Sequence, residues 1–167
     1  MNKYLKHLKK IIAHKWYVGC ACFQAGLYWQ GMTHDLSKFS LDEFIPYAQH
    51  FSDVKSPVDA MKEEYGFCEA WQHHKGRNPH HWEYWIDFKD GEIETLKIPY
   101  EYATELICDW IGAGQVYNKV NWSESEPYDY WVAKHHKFIM HEHTARYIET
   151  MTYSIKMHGI KETLKMS

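Results

Sequence analysis

From about Lys3 to Gln30 the chain repeats apolar residues at three- and four-residue steps, and no other feature constrains its fold as much. One stripe runs through Leu5, Leu8, Ile12, Trp16, Phe23 and Leu27, a second through Ile11, His14, Val18 and Ala25. Steps of three and four return to one side of an α-helix, so the segment predicts a long helix. A helix that is apolar on more than one side is expected at the centre of a fold, which turns His14 into protein rather than water.

The rest of the chain is punctuated in the same way. Thr33 predicts the N-cap of a short helix carrying His34 and Asp35, and Ser40-Leu41-Asp42-Glu43 reads as a capping box that opens another, kinked at Pro46. Ser56-Pro57-Val58-Asp59 predicts a helix start, with the helix reaching about His74 and broken by Gly76. Asn78-Pro79 repeats that start and puts His80 and His81 in the first turn of a helix to about Phe88, ended by Asp90-Gly91. Further helices are expected from about Pro99 to Tyr117 and from about Pro127 to His158, the latter closed by Gly159. No stretch alternates with period two for long enough to predict a strand, although Lys97-Ile98 is a candidate for brief pairing. The expected architecture is all-α, a helical bundle forming one domain over residues 1–167.

Charge and hydropathy narrow the function. A formal charge of -3 and a pI near 6.5 argue against an extended nucleic-acid partner, which calls for a basic stripe. Small anionic substrates stay open, since one or two local cations suffice. Mean hydropathy of -0.61 disperses the apolar residues, and the most apolar stretch, Ile11 to Gly31, is broken by His14, Lys15 and Gln24 and has no secretory cleavage site. Neither a membrane span nor a membrane partner is expected. Cys20, Cys22, Cys68 and Cys108 have neither CxxC spacing nor disulfide-scaffold density, which predicts free thiols and a cytoplasmic compartment.

The 13 histidines are the unusual entry in the composition, and several fall in a thread of metal-capable residues. His14 comes first, then the adjacent pair His34-Asp35, then His73-His74 and His80-His81, then Asp109. Imidazole nitrogen and carboxylate oxygen suit first-row divalent metals, and ligands converging from several helices are how a bundle builds such a site. Neighbouring helical residues point about 100° apart, so His34 and Asp35 can both serve only if an ion lies between them or Asp35 bridges two ions. Glu105 lies four residues before Asp109, on the same helix face. The second histidine-rich run, His135 to His143, suits a structural or solvated role, because it offers no third ligand.

The order His14, His34-Asp35, Asp109 resembles the H…HD…D signature of the HD-domain superfamily of metal-dependent phosphohydrolases. His34-Asp35-Leu36-Ser37-Lys38 is similar to the HD-x-G-K variant of the HD-GYP phosphodiesterases. The extra histidines before Asp109 resemble the dinuclear subgroup, which also includes di-iron oxygenases. The run from Ala70-Trp71 to Trp85 is similar to a family of uncharacterised bacterial and phage proteins. Ser37 stands where the HD-GYP pattern has glycine and no GYP tripeptide is present, so cyclic-dinucleotide hydrolysis is not implied.

The resemblance implies an HD-like bundle with two divalent ions in its core, Fe, Mn, Zn or Mg. His14, His34, Asp35 and Asp109 would hold the first, and Asp35 would bridge to a second on His74 and either His80 or His81, with His81 preferred. The implied activity is hydrolysis of a nucleotide or other small phosphate ester, with Asp35 and Lys38 catalytic. Lys38 resembles the phosphate-contacting lysine of HD-x-G-K proteins, and Arg77, Lys15, His80 and Glu105 are further candidate substrate contacts by their places in the sequence. Two alternatives accompany it: a di-iron oxygenase, and a non-catalytic protein that binds a nucleotide or a partner through the aromatic surface around Trp82, Tyr84 and Trp85.

Overall fold

A computed structural model describes residues 2–52 and 55–165. Its helices are α1 (Lys3–Gln24), α2 (Tyr28–Thr33), α3 (Leu41–Gln49), α4 (Pro57–Tyr65), α5 (Glu69–Arg77), α6 (Tyr100–Tyr117), α7 (Glu126–Lys134), α8 (Glu142–His158) and α9 (Ile160–Leu164). Strands β1 (Ile86–Lys89) and β2 (Glu92–Thr95) form one antiparallel hairpin. The protein is mostly all-α, as its periodicity predicts.

α1 and α6 form the centre. Val18, Ala21 and Cys22 on α1 pack with Leu106, Ile107, Cys108 and Ile111 on α6, and Trp131, Ile148, Ile155 and Leu164 close the cluster. Gly112 permits the close approach, because a Cβ there would lie 2.4 Å from Val18 Cγ2. That contact, within about a turn of both His14 and Asp109, fixes the spacing of the two helices where those side chains meet. The second sequence stripe of α1 is thus the buried one. The first is turned outward, with Leu5, Ile12, Trp16 and Phe23 exposed.

Several expected boundaries move. The first helix stops at Gln24, because Gly26 takes a left-handed φ of 74° and sends α2 back along α1. Thr33 is the last residue of α2 and not an N-cap. Ser56 caps α4 as expected, its hydroxyl accepting from Val58 N–H, but Gly66 (φ 80°) ends that helix and Gly76 lies inside α5. The long C-terminal helix is α7 and α8 separated by a 3₁₀ turn at His135–Lys137, with α9 beyond Gly159.

After α5 no helix starts at Asn78-Pro79. His81 N–H bonds Asn78 C=O in a turn, a 3₁₀ turn covers Trp82–Trp85, and the hairpin follows. Asp90 and Gly91 both have positive φ (53° and 85°), the requirement of the tight two-residue turn that Asp-Gly favours. Strands of four residues are too short for alternation to reveal them. Lys97 and Ile98 form no strand; Ile98 N–H instead donates to Thr144 Oγ1. All four cysteines are free.

Candidate metal centre

The centre combines side chains from helix interiors, His14 on α1, His74 on α5 and Asp109 on α6, with residues of the irregular segments that follow α2 and α5. His34 closes α2, and Asp35 takes a left-handed conformation (φ 54°, ψ 25°) before a 3₁₀ turn at Leu36–Phe39. Aspartate tolerates that region better than most residues, and leaving the helix there removes the 100° divergence expected of helical neighbours. Both side chains are 1% exposed. Lys15 secures the loop from α1, donating to the carbonyls of Met32 (2.7 Å) and His34 (2.9 Å).

Around Asp35 Oδ2 lie His14 Nε2 at 3.4 Å and His34 Nε2 at 3.3 Å, and Asp109 Oδ1 is 2.9 Å from His14 Nε2 and 3.5 Å from His34 Nε2. Around Asp35 Oδ1 lie His74 Nε2 at 3.2 Å and His80 Nε2 at 3.6 Å, with His81 completing the group. The ligand-type atoms of each group lie within 4.8 Å of one another. Asp35 thus offers one oxygen to each group. Asp35 Oδ1 and the Nε2 atoms of His74, His80 and His81 are buried without a hydrogen-bond partner. Buried polar atoms converging without hydrogen bonds to saturate them are costly in a dry interior and suit a cation. These clusters could hold a metal ion.

Carboxylates behind the histidines set their orientation. Glu105 Oε1 accepts from His34 Nδ1 (2.8 Å) and His80 Nδ1 (3.1 Å), and the fully buried Glu43 accepts from His73 Nδ1 and His74 Nδ1, both at 2.7 Å. With Nδ1 donating, Nε2 of His34, His80 and His74 carries the lone pair turned toward the centre. Asn78 braces the same region, donating to His74 C=O (2.7 Å) and Ser37 Oγ (2.8 Å).

Electrostatics agree with a site built for positive charge. Burial opposes ionisation of Asp35, but His34, Lys38 and His74 outweigh it and hold the carboxyl well below the ordinary range. Asp109 is likewise held well below by His14 and His34 against its burial. Burial disfavours protonated His34 and His74, yet the facing carboxylates raise both above the usual histidine value. His81 goes the other way, pushed well down by burial and by His80 and His74. Lys38 donates to Asp35 Oδ2 at 2.5 Å, and despite burial Asp35 and Asp109 hold its ammonium above the ordinary lysine value.

A cleft reaches the centre in two lobes that share Trp71, His81 and Asp109. One, of about 240 Å³, contains His14 and Lys38. The other, of about 710 Å³, is walled by Trp82, Trp110, Tyr130 and Phe138. The first group meets the cleft at His14 and Asp109, whose side chains are 10% and 16% exposed.

The six residues read from the sequence as ligands, His14, His34, Asp35, His74, His81 and Asp109, all converge. Among the expected substrate contacts only Lys38 faces the cleft beside the centre. His80 is 2% exposed and joins the second group together with His81, because the turn at residues 78–81 lets both rings point inward as a helix would not. Glu105 orients His34 and His80, Lys15 is spent on loop carbonyls, and Arg77 is exposed at the end of α5. Glu43 was missed altogether, since its place in Ser40-x-x-Glu43 reads as a capping box. Ser40 makes no side-chain cap, and the carboxylate turns inward to the histidines. Among the described residues, His135 to His143 contributes to no potential metal group, and His141 instead caps α8 through His143 N–H.

These features define the class, a mostly all-α protein with buried His, Asp and Glu clusters able to hold a metal. The chain belongs to the family described as a family of unknown function (DUF5662), whose model matches residues 3–154. Comparison with curated proteins and with solved structures finds no match.

Proposed function

We propose that the protein is a metal-dependent phosphohydrolase acting on a nucleotide or other small phosphate ester, with two divalent ions sharing Asp35. The observation that carries this reading is the division of Asp35, one oxygen toward His14, His34 and Asp109 and the other toward His74 and His80. A carboxylate so placed could serve both groups, and the resemblance to dinuclear HD enzymes supports that role. Bound divalent ions would supply an acidified water near neutral pH and neutralise charge on a phosphoryl group.

The chain's own groups support the rest. Lys38 borders the smaller lobe with its charge secured by Asp35 and Asp109, in position to stabilise negative charge on phosphoryl oxygens. Glu43 and Glu105 hold the histidine tautomers that keep the Nε2 lone pairs on the centre. The aromatic walls of the larger lobe offer stacking surfaces for a base or another planar group. Asp109, at the junction of the lobes, sets where the reacting group would lie.

One observation favours a second reading, a di-iron oxygenase. The Asp35 Oδ1 group contains three imidazoles and only the shared carboxylate, a nitrogen-rich set that suits iron as it suits zinc, copper or nickel. The deciding experiment loads metal-free protein separately with Mn, Mg, Zn and Fe and measures phosphate release from a panel of phosphate esters. Turnover with a redox-inert ion supports the hydrolase. Absence of turnover with every ion, combined with an iron-dependent EPR signal, transfers the centre to the oxygenase reading. Tight nucleotide binding without turnover or such a signal assigns it to binding alone.

A further inference from the structure

The outward face of α1 and α2 is apolar where a solvent face is normally polar. On α1, Leu5, Ile12, Trp16 and Phe23 fall within about 20° of a common direction at 100° per residue, opposite the buried stripe. Trp16 is 69% exposed and Ile12 53%; on α2, Trp29 is 70% exposed and Met32 53%. The two helices form one surface. Gly31 lets α2 settle onto α1, since a Cβ there would lie 2.9 Å from the Phe23 ring, and Phe23 meets Tyr28 edge-on at 5.2 Å. A continuous patch of this kind marks an interaction site.

Charge identifies the partner. Residues 2–34 contain Lys3, Lys6, Lys9, Lys10 and Lys15 and no Asp or Glu; the first acidic residue is Asp35, buried in the centre. Lys9, which is exposed, lies about 40° from the middle of the apolar stripe, and Lys6 flanks it further round. A second copy of the chain would bring like charge together, since Lys9 edges the patch and residues 2–34 supply no carboxylate. Exposed Trp and Tyr among aliphatic side chains, edged by lysine, are instead the composition of a surface lying in a headgroup layer. No helix among the described residues is long and apolar enough to cross a membrane.

We infer that the α1–α2 face is a docking surface for an anionic lipid bilayer, with Trp16 and Trp29 entering the interface and Lys6 and Lys9 engaging lipid phosphates. The residues point away from the metal centre, so the inference stands apart from the reaction assigned to it.

The test is co-sedimentation of the full chain with vesicles of phosphatidylcholine alone or mixed with phosphatidylglycerol, at low and high salt. Binding is expected to the mixed vesicles only and to weaken with salt. Trp16→Ser with Trp29→Ser should lower the partition coefficient by about tenfold or more, and each of Lys6→Glu and Lys9→Glu by about fivefold or more, the loss expected for one lysine near an anionic surface. Because these side chains lie on the outside, helical content by circular dichroism should be unchanged, which separates lost docking from lost folding. Failure to bind the mixed vesicles overturns the inference, as does binding unaffected by the tryptophan changes. A dimer in solution that the tryptophan changes dissociate would also overturn it and give the face to a second copy.

Discussion

Replacing Glu43 by Gln separates the two halves of the centre, because Glu43 touches the histidines of only one. Its carboxylate accepts from His74 Nδ1 and His73 Nδ1, each at 2.7 Å, and contacts neither His14 nor Asp109. A hydrogen bond to a charged group contributes about 1.5–3 kcal/mol against about 0.5–1.5 for a neutral one. Gln keeping its carbonyl on His74 therefore loses about 1–1.5 kcal/mol of orienting energy. If its amide nitrogen faces His74 instead, the whole bond goes. At about 1.4 kcal/mol per tenfold, the second ion should bind about tenfold to hundredfold more weakly, the range expected for a residue that orients a metal ligand. Affinity at the His14, His34 and Asp109 group should change little. Glu105→Gln provides the contrast, since Glu105 bonds both His34 and His80 and should weaken both ions. The assay is metal content after dialysis against graded chelator, with circular dichroism to confirm the fold. Equal loss of both ions in Glu43→Gln, or no loss of either, would refute the division of the centre between the oxygens of Asp35.

Three further outcomes are expected. His34→Ala or Asp35→Ala should abolish metal retention while leaving a largely helical chain; metal analysis showing wild-type stoichiometry would contradict the assignment. Lys38→Met should keep metal and fold but lower phosphoester turnover by about tenfold to a thousandfold, the loss of one electrostatic contact to the transition state, and wild-type rates would remove Lys38 from the reaction. In metal-stripped protein, His34 and His74 titrate above the ordinary value of 6.5, so their stabilising contribution is complete below that pH and is lost as pH rises through their folded values. His7, lowered to about 4 by burial and by Lys38 and Lys10, and His81, also lowered, act only below 6.5. Melting temperature in chelator should therefore fall between neutral pH and mildly alkaline pH; a flat or rising profile there would refute the sign.

Local pattern carries the helical class and points to most of the residues that converge on the candidate metal centre. Three- and four-residue periodicity is a local property of one segment, and it sufficed to place α1; its two apolar stripes put His14 in protein only on the expectation that both sides are buried. The order His14, His34-Asp35, Asp109 marks the thread in the sequence, while the choice of His74 over His73 comes from the resemblance and not from spacing. Which of two apolar stripes on α1 is buried was not legible. Both have helical spacing, and only the fit of α6 at Gly112 against Val18 selects the face that bears His14. The left-handed Asp35 and the turn carrying both His80 and His81 inward depend on what the rest of the chain leaves as space. Glu43 shows the limit most directly. Locally it completes a capping pattern, but two imidazoles from α5 at 2.7 Å are better partners for a fully buried carboxylate than a backbone N–H. A local code cannot rank a neighbour against a residue about 30 positions away, and in a low-dielectric interior the charged partner wins.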